Sequence, residues 1–208
     1  MAPRNKFTRE EMIEAAVRVV RKKGIDALTA KALARELGVS TQPVFTCFHT
    51  IDEAKREVRA ASERVYESYV KTGLSMQVPF LGVGIQYIRF AKEDPQLYRI
   101  LFLNTNEEEN SNVMDALHNS QDIVRESLQQ TYNIDARTAD RYFRDMWLVV
   151  HSLATLVVTN ACPYSEEEIG QILTGFSVSL CKSIKEIHGF VDNNYDYDAI
   201  FRKLVEKI

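Results

Sequence analysis

Residues 28–48 read LTAKALARELGVSTQPVFTCF, and this stretch decides the fold. Thr29 supplies an N-cap hydroxyl, and Ala30, Leu33, Ala34 and Leu37 follow it at helical spacing as an apolar stripe. Gly38 ends that helix, because glycine takes the left-handed conformation at no steric cost. Ser40 is expected to cap a second helix, with Val44, Phe45 and Phe48 turned to the core and Thr41, Gln42 and Thr46 turned outward. Pro43 falls in the first turn of that helix, where a backbone N–H has no intrahelical acceptor to lose. Two short helices joined by a glycine turn form the pattern that presents hydrogen-bonding groups to a DNA groove.

Upstream, Thr8 and Glu11 have the spacing of a capping box. The helix they open has Ile13, Ala16, Val17 and Val20 on its inner face and Gly24 at its end, with Ile25 and Leu28 tucking the connection against the core. Three helices over residues 1–50 therefore make a head. Downstream, Asp52 is expected to cap a longer helix to about residue 71, with Val58, Ala61, Val65 and Tyr69 on one side. That helix, taken as 51–72, links the head to a body over residues 51–208. The net charge of −3 hides an asymmetry: residues 1–50 hold nine Lys/Arg against five Asp/Glu, so a basic head sits on an acidic body.

The body reads as helical throughout. Only five Pro and eight Gly are spread over 208 residues, 45% of the chain is hydrophobic, and no strand-like alternation stands between turn signals. The expected class is all-α, a helix-turn-helix head followed by a helical bundle. A helix from residue 76 to 92 ends at Asp94-Pro95, a short apolar helix covers 96–103, a loop at 104–110 carries Glu107, Glu108 and Glu109, and a helix follows from about 111 to 132. The glutamate run is read as a solvated loop and first helical turn. Phe143, Met146, Val150, Leu153 and Val157 then recur at intervals of three and four. After a break at Cys162-Pro163, Ser165 and Glu168 form a second capping box ahead of Ile169, Leu173, Phe176, Leu180 and Ile184. Two such seams bury only part of their apolar surface against each other, so Phe143, Val150, Leu153, Val157, Leu173, Phe176, Leu180 and Ile184 are expected to pair with a second copy in a four-helix homodimer interface. A short helix from 198 to 208 has Ile200, Leu204 and Ile208 on one stripe.

Several functions are excluded by what the chain lacks. No apolar run reaches the roughly 18 residues of a membrane span and no signal segment opens the chain, so a soluble cytoplasmic protein is expected, with no membrane partner. Cys47, Cys162 and Cys181 are far apart and form no C-x-x-C, which points to packing groups, with neither a disulfide framework nor a metal site. A carboxylate-bridged metal enzyme needs two Glu-x-x-His pairs, and Asp115 with His118 is one loose approximation. With no phosphate loop and no nucleophile elbow either, no enzyme activity and no cofactor are expected.

Thr8, Ala16, Gly24, Thr29, Leu33-Ala34, Leu37-Gly38-Val39-Ser40, Phe45 and Phe48 together strongly resemble the N-terminal domain of TetR-family transcriptional regulators, over about residues 6–58. Trp147-Leu148-Val149-Val150-His151-Ser152-Leu153-Ala154 is similar to the Trp-x-x-x-His-Gly-x-Ala pattern of many family C-terminal domains, with Ser152 in place of the usual Gly. The resemblance implies a homodimeric DNA-binding regulator, a repressor released by a small-molecule effector, reading an imperfect-palindrome operator in double-stranded DNA. The DNA contacts it implies are Arg4, Lys6, Thr29, Lys31, Ser40, Thr41, Gln42, Pro43, Phe45, Thr46, His49 and Lys55. Two positions depart from the pattern, since many members have Tyr at Phe45 and Lys at Ile51, both facing phosphates; His49, Thr46, Lys55 and the arm with Arg4 and Lys6 are expected to supply part of that attraction. Gln42 is the candidate base reader, because its amide can bond an adenine edge with both groups. The effector pocket is expected among Tyr87, Phe90, Tyr98, Phe102, Met114, His118, Trp147 and His151.

Overall fold

Thr8 Oγ1 accepts from the Glu11 backbone N–H at 3.1 Å, and Glu11 Oε2 accepts from the Thr8 N–H at 2.7 Å, so the first capping box forms as the sequence requires. In this computed structural model, which describes residues 7–103 and 113–206, the box opens α1 (Arg9–Lys23). Arg4, Lys6, the Glu107–Glu109 run, the side chain of Met114 and Ile208 lie outside the described residues. After Gly24 at φ +83° and a 3-10 turn (Ile25–Ala27), Thr29 caps α2 (Ala30–Leu37), which Gly38 ends in the left-handed conformation. Next come α3 (Gln42–Cys47), α4 (Ile51–Leu74), α5 (Pro79–Glu93), α6 (Pro95–Phe102), α7 (Val113–Tyr132), α8 (Ala136–Val158), α9 (Glu166–Glu186) and α10 (Tyr197–Val205). All the described elements are helical, as expected, and among the described residues no helix is long and apolar enough to cross a membrane.

Several expected boundaries shift for local reasons. Thr50, with extended backbone, caps α4 by accepting from the Glu53 N–H at 3.1 Å, which leaves Asp52 inside the first turn rather than at the cap. The buried stripe of α4 is Ala54, Val58, Ser62, Tyr66, Val70 and Gly73; Ala61, Val65 and Tyr69 lie half-buried beside it. α5 starts at Pro79 rather than near Met76, because proline has no N–H to leave unsatisfied at the first helical position. Asp135 caps α8 by accepting from the Thr138 N–H at 2.8 Å, and the Ser165–Glu168 box opens α9 as expected.

α4 runs the length of the contact between head and body. It packs on α1 on one side and on α5 and α6 on the other. The helices α4 and α5 meet most closely where Gly73 faces Gly82. A Cβ on Gly73 would stand 2.5 Å from the Val83 nitrogen and 2.6 Å from its Cα, and one on Gly82 would meet the Gly73 carbonyl and Met76. Polar ties add to the apolar packing around α4. Arg21 of α1 holds Asp94, at the α5–α6 corner, with both Nε (2.7 Å) and Nη2 (2.9 Å), and Arg59 of α4 donates to the Ile100 carbonyl of α6 at 2.8 Å.

The α8 seam does not wait for a second copy. Phe143, Met146, Val150 and Leu153 are buried within the chain, where α8 packs on α5 and α7, and Val157 is packed against the same core. Leu173 is buried as well, and Leu180 and Ile184 pack against the core half-buried; of the eight seam residues only Phe176 is exposed. A three-four apolar spacing fixes that a face is covered, and here α5 and α7 cover most of it. The large apolar side chains that α8 and α9 leave in solvent are Leu148, Leu156, Phe176 and Val178, and α10 adds Tyr197, Phe201 and Val205.

Candidate nucleic-acid interface

The turn between α2 and α3 is built by backbone. The Gly38 N–H donates to the Arg35 carbonyl and the Val39 N–H reaches back to the Ala34 carbonyl at 3.0 Å, which satisfies the end of α2. Ser40 does not cap α3. The residue ahead of that helix is Thr41, in helical rather than extended backbone (φ −73°, ψ −16°), a geometry from which its hydroxyl makes no capping bond. Thr41 and Gln42 are exposed, and neither side chain has a hydrogen-bond partner among the described residues. Ser40 is exposed too. Pro43 sits at the second helical position, as the sequence allows.

Behind this row, α3 is anchored by two residues one turn apart, Val44 and Phe48, both essentially unexposed. Phe45, expected to face inward with them, is 51% exposed. The helical period explains the difference, since positions 44 and 48 share a stripe and 45 lies about 100° away from it. Thr46 is exposed and spends its hydroxyl on the Gln42 carbonyl at 3.0 Å, so its outer surface offers a methyl group and a lone pair. The outward surface of α3 is thus Thr41, Gln42, Phe45 and Thr46.

Arg9 holds α3 in place from behind. Its Nη1 donates to the Cys47 carbonyl at 2.9 Å, and its Nη2 reaches Glu53 at 2.8 Å and Glu57 at 2.6 Å on α4. The guanidinium also lies over the Phe48 ring, 5.3 Å from its centroid. These bonds, joined by the His49 backbone N–H at 2.9 Å, hold the Glu53 carboxyl down at about 2. Sequence reasoning missed this clamp; its one local signal is a cation at the first position of a helix, where the dipole disfavours it. Burial pushes the Cys47 thiol up, which leaves it a packing group.

The remaining head residues divide by what they already hold. His49 is exposed, with Nδ1 3.1 Å from Glu53; Lys55 is half-buried and 3.6 Å from Asp52; Thr29 accepts from the Ala32 N–H. Much of the positive charge of the head is paired internally: Arg18 and Lys22 hold Glu36, Arg21 holds Asp94, and Arg9 holds its two glutamates. Lys31 and Arg35, one turn apart and exposed on α2, make no ion pair among the described residues. Arg35 was not singled out from the sequence.

In the body, six of the residues expected to line a pocket do come together. Tyr87, Phe90, Tyr98 and Phe102 are buried with Tyr66 in one aromatic cluster, with ring centroids 4.9 Å apart for Tyr87–Phe102 and 5.0 Å for Tyr98–Phe102. Trp147 stacks on His151 one turn later at 4.6 Å and 9°, and its buried indole N–H has no acceptor among the described residues. His118 is exposed on α7. His151 Nδ1 lies 3.0 Å from the Tyr87 hydroxyl and 3.1 Å from that of Tyr98, and burial lowers the imidazole from its ordinary value. A depressed histidine binds fewer protons folded than unfolded, so its contribution to stability is present above about pH 6.5 and drains as pH falls below it. The melting temperature is therefore expected to fall between pH 7 and pH 5 with a slope that His151→Gln flattens; equal slopes in calorimetry would remove His151 as its source.

No family model matches this sequence, and no curated protein matches it significantly. Among solved structures, a member of the TetR family from Streptomyces coelicolor A3 matches with a TM-score of 0.57 at 21% identity, covering 80% of this chain and 96% of that one. With a capped helix, a left-handed glycine turn and a second short helix at the head of an all-helical body, the chain has the TetR-like fold.

Proposed function

We propose that the protein is a sequence-specific DNA-binding transcriptional regulator, a repressor that acts as a homodimer and is released by a small-molecule effector. The observation that carries this reading is the outer surface of α3, where Thr41 and Gln42 offer unspent hydrogen-bonding groups on a helix held rigidly by Val44, Phe48 and the Arg9 clamp. Gln42 pairs with an adenine edge, Phe45 presents its exposed ring to a thymine methyl, and Lys31 and Arg35 neutralise phosphates. Arg4 and Lys6 add charge from the N-terminal arm. The homodimer pairs the apolar residues that α8 and α9 leave exposed, Leu148, Leu156 and Phe176, with Ser152 and Ser179 allowing close approach.

Selecting bound duplexes from a random pool with the purified protein tests the reading, and an enriched palindrome is the expected result. On that site Gln42→Ala costs about 1–3 kcal/mol and leaves random DNA nearly unaffected, whereas Lys31→Ala weakens both and lowers the salt slope by roughly one. Equal losses for Gln42→Ala on both DNAs would remove it from the base-reading set. The half-exposed Phe45 ring also suits a protein-binding adaptor, and binding to duplex DNA that vanishes steeply with salt decides against that alternative.

A further inference from the structure

Between α5, the C-terminal end of α8 and the segment leading into α9 lies a cleft of about 920 Å³, a size that holds a drug-like molecule. Its walls are apolar, with Ile85 and Ile88 from α5, Val157 from α8 and Ile169 from α9. Three uncharged polar residues interrupt them: Asn160 and Tyr164, both exposed, and Gln86. Gln86 is only 7% exposed, faces the cleft among these aliphatic side chains, and has no hydrogen-bond partner among the described residues. Its amide opens into the cleft rather than being sealed from it, so a ligand group placed there can pair with both its N–H and its carbonyl.

The rim fixes the charge of that group. Arg89 holds Glu93 at 2.7 Å and Lys92 holds Glu166 at 2.6 Å, so two cations and two anions already cancel around the mouth. A charged ligand would have to break one pair and strand its other member; a neutral one leaves both intact. The Gln86 side chain offers a donor N–H and an acceptor carbonyl side by side, and only a ligand with the same two groups adjacent satisfies both.

We propose that this cleft binds a neutral amphipathic small molecule bearing a carboxamide or lactam, whose N–H and C=O pair with Gln86 while its hydrocarbon lies along Ile85, Ile88, Val157 and Ile169. The site uses different residues from the aromatic cluster. It supplies the chemical class of the effector in the function proposed above and rests on that reading only for its regulatory meaning. Binding is measured without DNA, so a failure here and a failure of DNA recognition are separate results.

Isothermal titration of the full chain compares octanamide with 2-nonanone, which has the same length but only an acceptor, and with octanoate, which is charged. Octanamide is expected to bind about tenfold or more tightly than either. Gln86→Leu should lower octanamide affinity about tenfold and leave 2-nonanone unchanged, while Val157→Trp, which projects an indole into the cleft from a half-buried position, removes both. Absence of octanamide binding to the unaltered protein overturns the proposal, as does an unchanged affinity in folded Gln86→Leu. If circular dichroism shows that Gln86→Leu has not folded, the three-ligand comparison on the unaltered protein and the Val157→Trp result decide, and similar affinities for amide and ketone overturn it.

Discussion

Gly73→Ala is expected to lower the melting temperature by roughly 6–12 °C, the equivalent of about 3 kcal/mol in a chain of this size. Helix propensity alone predicts the opposite sign, since alanine in a helix interior is favoured over glycine by about 0.5–1 kcal/mol. The reversal comes from what the methyl group meets. It would lie 2.5 Å from a backbone nitrogen of α5, and backbone in the middle of a packed helix cannot step aside as the end of a side chain can. Gly170→Ala serves as the comparison, because that glycine lies in α9 with nothing within 4 Å and should raise stability by the propensity difference. Calorimetry in which both variants are stabilised would show that α4 and α5 do not cross at Gly73.

Inserting about five base pairs between the half-sites of the selected operator is expected to reduce affinity by a factor of about a thousand or more, to the level of non-specific DNA. In the proposed homodimer two copies of α3 related by a two-fold axis would enter successive major grooves roughly 34–36 Å apart, and half a helical turn of extra DNA would move one groove to the far side of the duplex. The rigid mounting of α3 on Val44, Phe48 and Arg9 gives the head no slack with which to follow. Tight binding retained on the spaced site would rule out a symmetric pair of heads, whatever a single head recognises.

The parts of this structure that were legible in the sequence are those whose cause is local. Thr8 with Glu11, Thr29, Gly38 and Ser165 with Glu168 act within four residues of themselves, and each forms the cap or turn its type dictates. Where neighbouring residues compete for one job, sequence alone does not choose between them: Thr50 rather than Asp52 caps α4, and Phe45 faces outward because Val44 and Phe48 already complete the stripe. Longer-range facts carry no such signature. The α8 spacing says that a face is covered but not by what, and α5 and α7 turned out to cover it. The aromatic residues of the body converge as expected, whereas Gln86 carries no signal in the sequence because a single amide in an apolar helix becomes odd only once its surroundings are known. Charge counting had the same limit, since much of the surplus in the head is spent on Glu36, Asp94, Glu53 and Glu57.

The continuity of α4 sets how this protein could be recombined with another. A transplant of residues 1–50 would leave behind Ala54 and Val58, which complete the core under α1, and Glu53 and Glu57, which hold Arg9. It would also part Arg21 from Asp94, some seventy residues further on. A portable head therefore extends through about residue 60 and needs an acidic residue waiting at the α5–α6 corner of its host. Chimeras spliced at the sequence-level border should express as frayed three-helix fragments, while those spliced within α4 and supplied with that acidic partner should keep the specificity of the donor.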